Sequence, residues 1–391
     1  MKCIQCGSDS RRRDRLGGRC PRCRRKFAFE PATDRLKVTD AQFRNAVDRV
    51  SGSGKVQFTE LSLWYEFNRR WMKPGFWRSP FGALPFVGAG CGLVPGREII
   101  LEGRALTFLD LLLPMVAAGV AAGLVAGAVL SALANRLAPP SPRPPRLTFD
   151  AFRREYLRRW REAHGDVAGL LPVREAALPA MPTQVSADVA AFSFDRVVVT
   201  DQWDTAQMLV ANRFHFEHNC AVLSRDGYPD GTAETVKAML RRNPALTVFA
   251  LHDASPGGCL LPLTVREPEW FPDPRVRIVD LGLRPATARR QRVPTLRAPF
   301  RPLPPRLGEI LPPKEVRWLA RGHVAELAAL RPAQVLRAAY QGIVAARLYD
   351  GSSSGSGGSG GGGGDTYGGG GIIWVGDLSP GGDTAAVDGF G

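Results

Sequence analysis

The spacing of apolar residues predicts a small helical module over residues 35–75. Apolar positions at helical spacing favour one helix from Asp40 to Val50, with Phe43 and Val47 on its apolar face. A second helix is predicted from Glu60 to Trp71, and the serine–glycine run between the two predicts a turn. Two helices of this length joined in this way are compatible with a helix-turn-helix-like or winged-helix module.

A second pattern, in which short apolar runs alternate with helical periodicity, predicts an α/β domain over 149–285. The predicted strands are 196–200, 220–223, 246–251 and 276–281, and the predicted helices between them are 205–213 and 232–242. Such alternation favours a parallel sheet, which places Asp201 and Asp253 at the carboxyl ends of strands, where sheets of this kind hold their sites. The same two aspartates could instead cap the helices that follow them.

The remaining C-terminal sequence divides into three parts. Residues 286–313 are rich in proline and predict an extended linker, and residues 314–350 predict a helical segment. Residues 351–391 hold 18 of the 43 glycines and no lysine or arginine, so they predict a flexible, disordered tail. Such a tail is a candidate for recruiting protein partners.

Between the helical module and the α/β domain lies a predicted membrane region, 79–136. Residues 111–134 form a run of 24 positions without a charge, about 36 Å long as a helix, which is enough to span a bilayer. Residues 79–96 are also uncharged but contain three prolines, so they predict either a weaker second span or a re-entrant segment. A hairpin of these spans would anchor the protein in the cell membrane with its other domains in the cytosol; the alternative is a buried core helix.

A basic amphipathic helix, predicted over 149–163, follows this region. It sets aromatic residues against five arginines, so it could lie on anionic lipid or pack on the next domain. The whole chain of 391 residues carries a formal net charge of +15, which predicts a polyanionic partner, either nucleic acid or an anionic membrane. Its hydrophobic content of 44% excludes wholesale disorder and is too low for a polytopic transporter.

Four cysteines near the start of the chain predict a structural zinc ribbon over residues 1–30. Cys3 and Cys6 form one CxxC pair, and Cys20 and Cys23 form another. Two such pairs supply the four thiolates of a tetrahedral zinc site, although two disulfides or a redox CxxC would use the same residues. Several arginines surround the pairs and are candidates for contacts with nucleic acid or another anion, unless they form only a solvated face: Arg11, Arg12, Arg13, Arg24 and Arg25.

Two short motifs in the α/β domain carry a resemblance to a known family. Gly227-Tyr228-Pro229-Asp230 follows the second strand, and Asp253-Ala254-Ser255-Pro256-Gly257 follows the third. This stretch resembles the Toprim domain of the topoisomerase VI A subunit and its relatives. The resemblance implies a Mg²⁺ site with Asp201 and Asp253 as ligands, and cleavage of DNA by a tyrosine of a helix-turn-helix domain. Tyr65 occupies the comparable position, although it could simply be a half-buried aromatic residue.

Three departures from the family pattern predict that this Toprim-like domain is degenerate. Asp201 replaces a glutamate, Ser255 replaces the second aspartate of the third-strand motif, and Leu61 replaces an arginine before the tyrosine. Asp204 or Asp226 could restore a third acidic ligand. The sequence therefore favours a non-catalytic nucleic-acid-binding or protein-docking component. The alternatives are an active Mg²⁺-dependent DNA-cleaving transesterase or nuclease, and a structural membrane scaffold.

Overall fold

The computed structural model describes residues 1–72, 144–173, 196–229, 246–267, 269–270 and 276–353, with a few isolated positions between them. Residues Met1–Trp71 and Pro144–Gly391 belong to one compact unit, and Met72–Arg143 form a second. The glycine-rich tail from residue 354 and most of the predicted helix over 232–242 lie outside the described residues.

The two helices predicted for the helical module are confirmed as α1, Asp40–Val50, and α2, Glu60–Met72. A reciprocal capping box begins α1: Gln42 N donates to Thr39 Oγ1, and Thr39 N donates to Gln42 Oε1. Asp40 is therefore the first helical residue and not the cap. Its carboxylate instead accepts the backbone N–H groups of Ala28 and Phe29, which ties the helix to the cysteine-containing segment.

The basic amphipathic helix packs against the helical module. This helix, α3, consists of three abutting pieces: Phe149–Ala151, the π-helical Phe152–Leu157, and Arg158–His164. Its buried aromatic face stacks on α1, with the Trp160 and Phe43 ring centroids 4.5 Å apart. Two of its arginines, Arg153 and Arg161, form ion pairs with the buried Glu60 of α2. Protein and not lipid covers this face, and the partner is the preceding module, not the following domain.

The α/β part contains a four-stranded, fully parallel sheet. Its strands are β1, Arg196–Thr200; β2, Ala221–Ser224; β3, Thr247–Leu251; and β4, Arg277–Asp280, in the spatial order β2-β1-β3-β4. All four predicted strands are confirmed to within a residue or two at each end.

Short helices follow two of these strands. The helices after β1 are α4, Trp203–Ala211, and α5, Phe214–Glu217; those after β3 are α6, Pro256–Cys259, and α7, Leu261–Thr264. The strand order reverses between β1 and β3, which is where open parallel sheets form a crevice for ligands.

The C-terminal part is less regular than predicted. The expected linker 286–313 overlaps helix α8, Pro285–Arg290, strand β5, Leu296–Arg297, and helix α9, Leu307–Ile310. The expected helix 314–350 is split into α10, Pro313–Ala320, and α11, Pro332–Ser353, by strand β6, His323–Val324, and a 3₁₀ turn, Leu327–Ala329. Gly322 ends α10 with a positive φ of 77°, and its carbonyl accepts the N–H of Ala298 beside β5.

The predicted membrane region is contradicted by the residues that the structure describes. Among them, no helix combines the length and the apolar character required to cross a bilayer. The region 79–136, with its proposed spans 79–96 and 111–134, lies outside the described residues apart from isolated positions. An uncharged run of Ala, Gly, Leu and Val indicates a preference for apolar surroundings, but that composition does not by itself specify a bilayer. A membrane anchor and a cell-membrane location are not supported.

Candidate functional site

The four cysteines of the two CxxC pairs form a compact cluster. The Sγ atoms of Cys3, Cys6, Cys20 and Cys23 all lie within 4.8 Å of one another. The Cys3–Cys23 and Cys6–Cys20 Sγ distances are both 3.7 Å. Tetrahedral zinc with Zn–S bonds of about 2.3 Å requires sulfurs about 3.8 Å apart. Within the described ranges this is the one group of three or more His, Cys, Asp or Glu ligand atoms gathered so closely.

Tight backbone turns present these sulfurs in pairs. Gly7 N donates to Cys3 O and Arg24 N to Cys20 O, and both turn residues have positive φ. The Cys23 backbone and the Ser8 hydroxyl stabilise the Cys20 thiolate and lower its pKa to about 6, whereas burial raises the pKa of Cys3 to about 11. The cluster could hold a metal ion such as zinc, because the sulfurs already have the required spacing and one already favours the thiolate form.

The arginines beside the cysteine cluster are exposed, with one exception. Arg11, Arg12, Arg13, Arg24 and Arg25 all face solvent. Within the described part of the chain, their only ion pair joins Arg13 to Asp14 at 3.7 Å. The exception is Arg15, which is buried and pairs bidentately with Glu30 at 3.0 and 2.8 Å. Arg15 is thus structural, whereas Arg11, Arg12, Arg24 and Arg25 are exposed and form no ion pair among the described residues.

The carboxyl edge of the sheet brings Asp201 and Asp253 together. Asp253 N donates to Asp201 Oδ2 at 3.1 Å, and Asp253 Oδ1 accepts Leu327 N at 2.6 Å. Both side chains are buried, and Asp201 Oδ1 has no hydrogen-bond partner among the residues that the structure describes. Neither aspartate caps the next helix: α4 has no side-chain cap, and Ser255 Oγ caps α6 by accepting Gly258 N. The capping alternative is therefore wrong for both.

Gly258 allows this close arrangement. A Cβ atom at Gly258 would lie 2.6 Å from Asp201 Oδ2 and 2.5 Å from the Asp253 carbonyl oxygen. Both distances are too short for a side chain, so the glycine lets α6 approach the two aspartates. Ser255 Oγ accepts the N–H of Gly258 in its own helix, so its hydroxyl serves as the cap of α6.

Two further acids and Tyr65 complete the edge. The Tyr65 hydroxyl donates to Glu326 Oε2 at 2.9 Å, and Tyr65 itself is fully buried. Glu326, Asp204 and Asp253 border one cavity of about 270 Å³, together with Leu61 and Trp203. Of the two acids that could replace the missing ligand, Asp204 therefore lies at the site. Asp226 is exposed and lies 3.9 Å from the neighbouring Arg225.

Burial and mutual repulsion make this edge unfavourable for negative charge. Burial raises the pKa of Asp201, raises that of Asp204 to about 6, and raises those of Asp253 and Glu326. Burial and the charges of Glu326 and Asp253 also raise the pKa of Tyr65 well above its usual value. Tyr65 is thus a neutral phenol in this arrangement, and a cation at the edge would offset the repulsion among the acids.

A buried ion pair supports the same edge from the side of β4. His252 Nε2 lies 3.1 Å from Asp280 Oδ1, and Asp280 Oδ2 accepts two hydrogen bonds from Arg284. Burial alone would raise the pKa of Asp280, but the charges of His252 and Arg284 outweigh it and hold that pKa well below its usual range. No motif or spacing in the sequence predicted the contact among these three residues.

Glu326 is the functional candidate that sequence reasoning missed. It lies in the segment between α10 and α11, which the helical pattern had predicted to be continuous. No local motif marks this acid, because its partners Tyr65 and Asp253 are 261 and 73 positions away. Gly322 interrupts the apolar pattern of the predicted helix, and this glycine was the one feature of the sequence that indicated a break there.

No family model, curated protein or solved structure matches this chain. The function must therefore be argued from the chain's own residues.

Proposed function

We propose that this protein binds nucleic acid through an N-terminal zinc ribbon and carries a Toprim-like α/β domain resembling that of the topoisomerase VI A subunit. The observation that carries the proposal is the contrast between two sets of arginines. Arg153 and Arg161 of α3 are paired with the buried Glu60, whereas the exposed ribbon arginines Arg11, Arg12, Arg24 and Arg25 form no ion pair among the described residues.

Unpaired, exposed guanidinium groups suit phosphate contacts. Each contact releases a condensed counterion from the nucleic acid, so several together provide affinity that depends on salt. Arginine also binds phosphate bidentately, which favours it over lysine at such surfaces. The ribbon presents these groups on turns that the cysteine cluster fixes, so a bound zinc ion would hold the surface in place.

The sheet edge supports a divalent cation as part of this function. Asp201 Oδ1 is buried and has no hydrogen-bond partner in the described part of the chain, and Asp253, Asp204 and Glu326 lie at the same edge. No three of these carboxylates approach within 4.8 Å, judged on the described residues. Mg²⁺ does not require three, because it is usually held by one or two carboxylates and completes its shell with water and phosphate oxygens.

The proposal is tested by titrating the full chain against a labelled DNA duplex at fixed low salt. The triple variant Arg12→Gln, Arg24→Gln, Arg25→Gln should bind at least about tenfold more weakly than wild type. The matched control carries Arg154→Gln, Arg158→Gln and Arg266→Gln, which removes the same charge from exposed positions elsewhere. Equal weakening in both variants would contradict a ribbon interface, and absence of wild-type binding would favour a protein-docking role.

A second candidate function, DNA strand cleavage, is favoured by one contact. The Tyr65–Glu326 hydrogen bond places a phenol and a potential proton acceptor at the acidic edge. In such a reaction Tyr65 Oη would attack phosphorus as Glu326 accepts its proton. The bond from phosphorus to a sugar oxygen would break, and that oxygen would take a proton from water. A bound divalent cation would supply positive charge to the phosphate.

Incubation of the full chain with supercoiled DNA and Mg²⁺ separates the two functions. Cleavage that leaves protein covalently attached to DNA, and that is lost in Tyr65→Phe but kept in Tyr340→Phe, would establish the second. Tyr340 is an exposed tyrosine of α11 and serves as the matched control. DNA binding without cleavage by wild type would leave only the first function.

A further inference from the structure

A second basic surface lies in the C-terminal part, where the sequence indicated only a proline-rich linker. Residues 281–308 contain seven arginines and no acidic residue. Arg284 is paired with Asp280 and Arg306 with Glu267. The other five are exposed and form no ion pair within the described part of the chain: Arg289, Arg290, Arg292, Arg297 and Arg301.

The fold gathers part of this charge around His323. The β5–β6 ladder sets Arg297 directly opposite His323. Helix α8 supplies Arg289, and Arg321 follows the last turn of α10, which contacts both α8 and β6. Burial lowers the pKa of His323, and the charges of Arg297, Arg321 and Arg289 lower it further, in agreement with this arrangement of the chain.

His323 also has an unfilled hydrogen-bonding position. Its Nδ1 atom is buried and has no partner among the described residues. The exposed guanidinium groups of Arg289, Arg297 and Arg321 are suited to an anion with several acceptor oxygens. A phosphate group has this character.

Aromatic side chains accompany this charge. Phe300, between Arg297 and Arg301 along the chain, is 81% exposed. The Trp318 ring lies 5.3 Å from that of His323. A large exposed aromatic side chain within a basic surface is typical of proteins that bind single-stranded nucleic acid, because unpaired bases stack on the ring while arginines follow the backbone.

We propose that Arg289, Arg297, Arg321, His323 and Phe300, here called the arginine patch, form a second contact surface that binds single-stranded nucleic acid. The arginines contact consecutive backbone phosphates, and Phe300 stacks on a base. This inference deepens the proposed nucleic-acid-binding function and rests on it. It differs from that function in its location, which is far along the chain from the ribbon, and in its preference for unpaired strands.

The test uses the full chain and two fluorescent probes, a 20-nucleotide single strand and a duplex of the same sequence. The patch variant carries Arg289→Gln, Arg297→Gln and Arg321→Gln, and Phe300→Ala is made separately. All four positions are exposed, and circular dichroism verifies folding. The matched control is again Arg154→Gln, Arg158→Gln, Arg266→Gln, which removes three exposed charges from other surfaces.

We expect the patch variant to bind the single strand at least about tenfold more weakly than the control variant. We expect Phe300→Ala to bind the single strand about 5- to 150-fold more weakly and the duplex almost as well as wild type. A patch variant that matches the control would overturn the proposal, as would Phe300→Ala binding both probes like wild type. Equal losses on both probes would overturn the preference for single strands.

The remaining outcomes distinguish this inference from the proposed function. If wild type binds neither probe, the proposed nucleic-acid-binding function is wrong, and the inference that rests on it is wrong as well. If wild type binds and the ribbon variant is weakened while the patch variant is not, the arginine patch alone is wrong. Wild-type binding to vesicles containing phosphatidylglycerol, lost in the patch variant and not competed by the single strand, would overturn the assignment of a nucleic-acid partner.

Discussion

The hydroxyl of Tyr65 lies 2.9 Å from Oε2 of Glu326, and this hydrogen bond joins the helical module to the carboxyl edge of the parallel sheet across 261 positions of sequence. Two neighbouring contacts hold the same two segments together. Arg69 donates to the Ala329 carbonyl oxygen, and Arg331 lies 3.4 Å from the buried Glu66. These contacts hold α2 against the acidic edge. The position of Tyr65 is therefore determined by the packing of its helix.

Substitution of Tyr65 by phenylalanine should destabilise the protein by about 1–2 kcal/mol, because Glu326 would lose its hydrogen-bond donor in a partly buried setting. Chemical denaturation measures this change. The double variant Tyr65→Phe, Glu326→Gln should recover part of the loss, since it removes the unpaired charge. A Tyr65→Phe variant as stable as Tyr340→Phe would show that the contact contributes nothing.

Magnesium should stabilise the wild-type protein through the acidic edge. The raised pKa values of Asp201, Asp253 and Glu326 show that their charges are costly there, and a bound cation offsets that cost. Saturating Mg²⁺, at about 100 times its dissociation constant, should add about 2.7 kcal/mol to the free energy of unfolding.

In the variant Asp253→Asn, Mg²⁺ should no longer increase the free energy of unfolding. Without Mg²⁺, this variant should be no less stable than wild type. The control is Asp226→Asn, which alters an exposed aspartate and should retain the full response to Mg²⁺. Thermal unfolding with and without Mg²⁺ measures both effects. An equal response to Mg²⁺ in Asp253→Asn and wild type would place the cation elsewhere.

The cysteine cluster should bind one zinc ion per chain, and Cys20→Ser should abolish stoichiometric binding. Metal analysis of the purified protein checks this, with Cys220→Ala as the control because Cys220 lies outside the cluster. Removal of zinc by a chelator should unfold residues 1–30 locally, since structural zinc sites of this kind contribute about 10–16 kcal/mol. Unchanged hydrogen exchange in that segment after chelation would contradict a structural role.

Stability should fall with rising pH through the His252–Asp280 pair. Burial alone would lower the pKa of His252, but Asp280 outweighs it and raises that pKa well above the ordinary 6.5. A raised pKa in the folded state means that the stabilisation is complete below pH 6.5 and is lost as pH rises towards the folded value. The lowered pKa of Asp280 means that its contribution to the stability of the folded protein is present above about pH 4 and is lost as pH falls further.

The variant Asp280→Asn should therefore cost about 3–5 kcal/mol near pH 6, because it leaves buried positive charge unpaired. The difference from wild type should shrink above pH 6.5, and denaturant titrations at several pH values measure it. His218 provides a contrast, since burial lowers its pKa and any contribution should have the opposite pH dependence. A difference that is constant from pH 6 to 9 would contradict the assigned charge state of His252.

The sequence predicted the local structure of this protein better than its long-range contacts. The four strands, α1 and α2, and the cysteine cluster follow from periodicity and spacing within about 25 residues, where local physics decides the outcome. Asp201 and Asp253 were placed correctly at the sheet edge because the parallel topology brings the ends of β1 and β3 together.

The features that the sequence did not predict depend on tertiary contacts. Glu326 reaches the edge only because Gly322 and β6 interrupt a predicted helix, and Ser255 caps its own helix instead of facing the site. The aromatic face of α3 is covered by Phe29 and Phe43, which are separated from it by more than 100 residues. Helical periodicity shows that such a face must be covered, but not by what.

The salt dependence of DNA binding tests the central proposal most directly. The slope of log K against log salt for the full chain measures the number of phosphate contacts, at about 0.9 per contact for duplex DNA. If the ribbon arginines contact DNA, the variant Arg12→Gln, Arg24→Gln, Arg25→Gln should reduce the magnitude of this slope by about 2–3, and the control Arg154→Gln, Arg158→Gln, Arg266→Gln should leave it unchanged. Equal slopes for wild type and the ribbon variant would contradict the proposed interface.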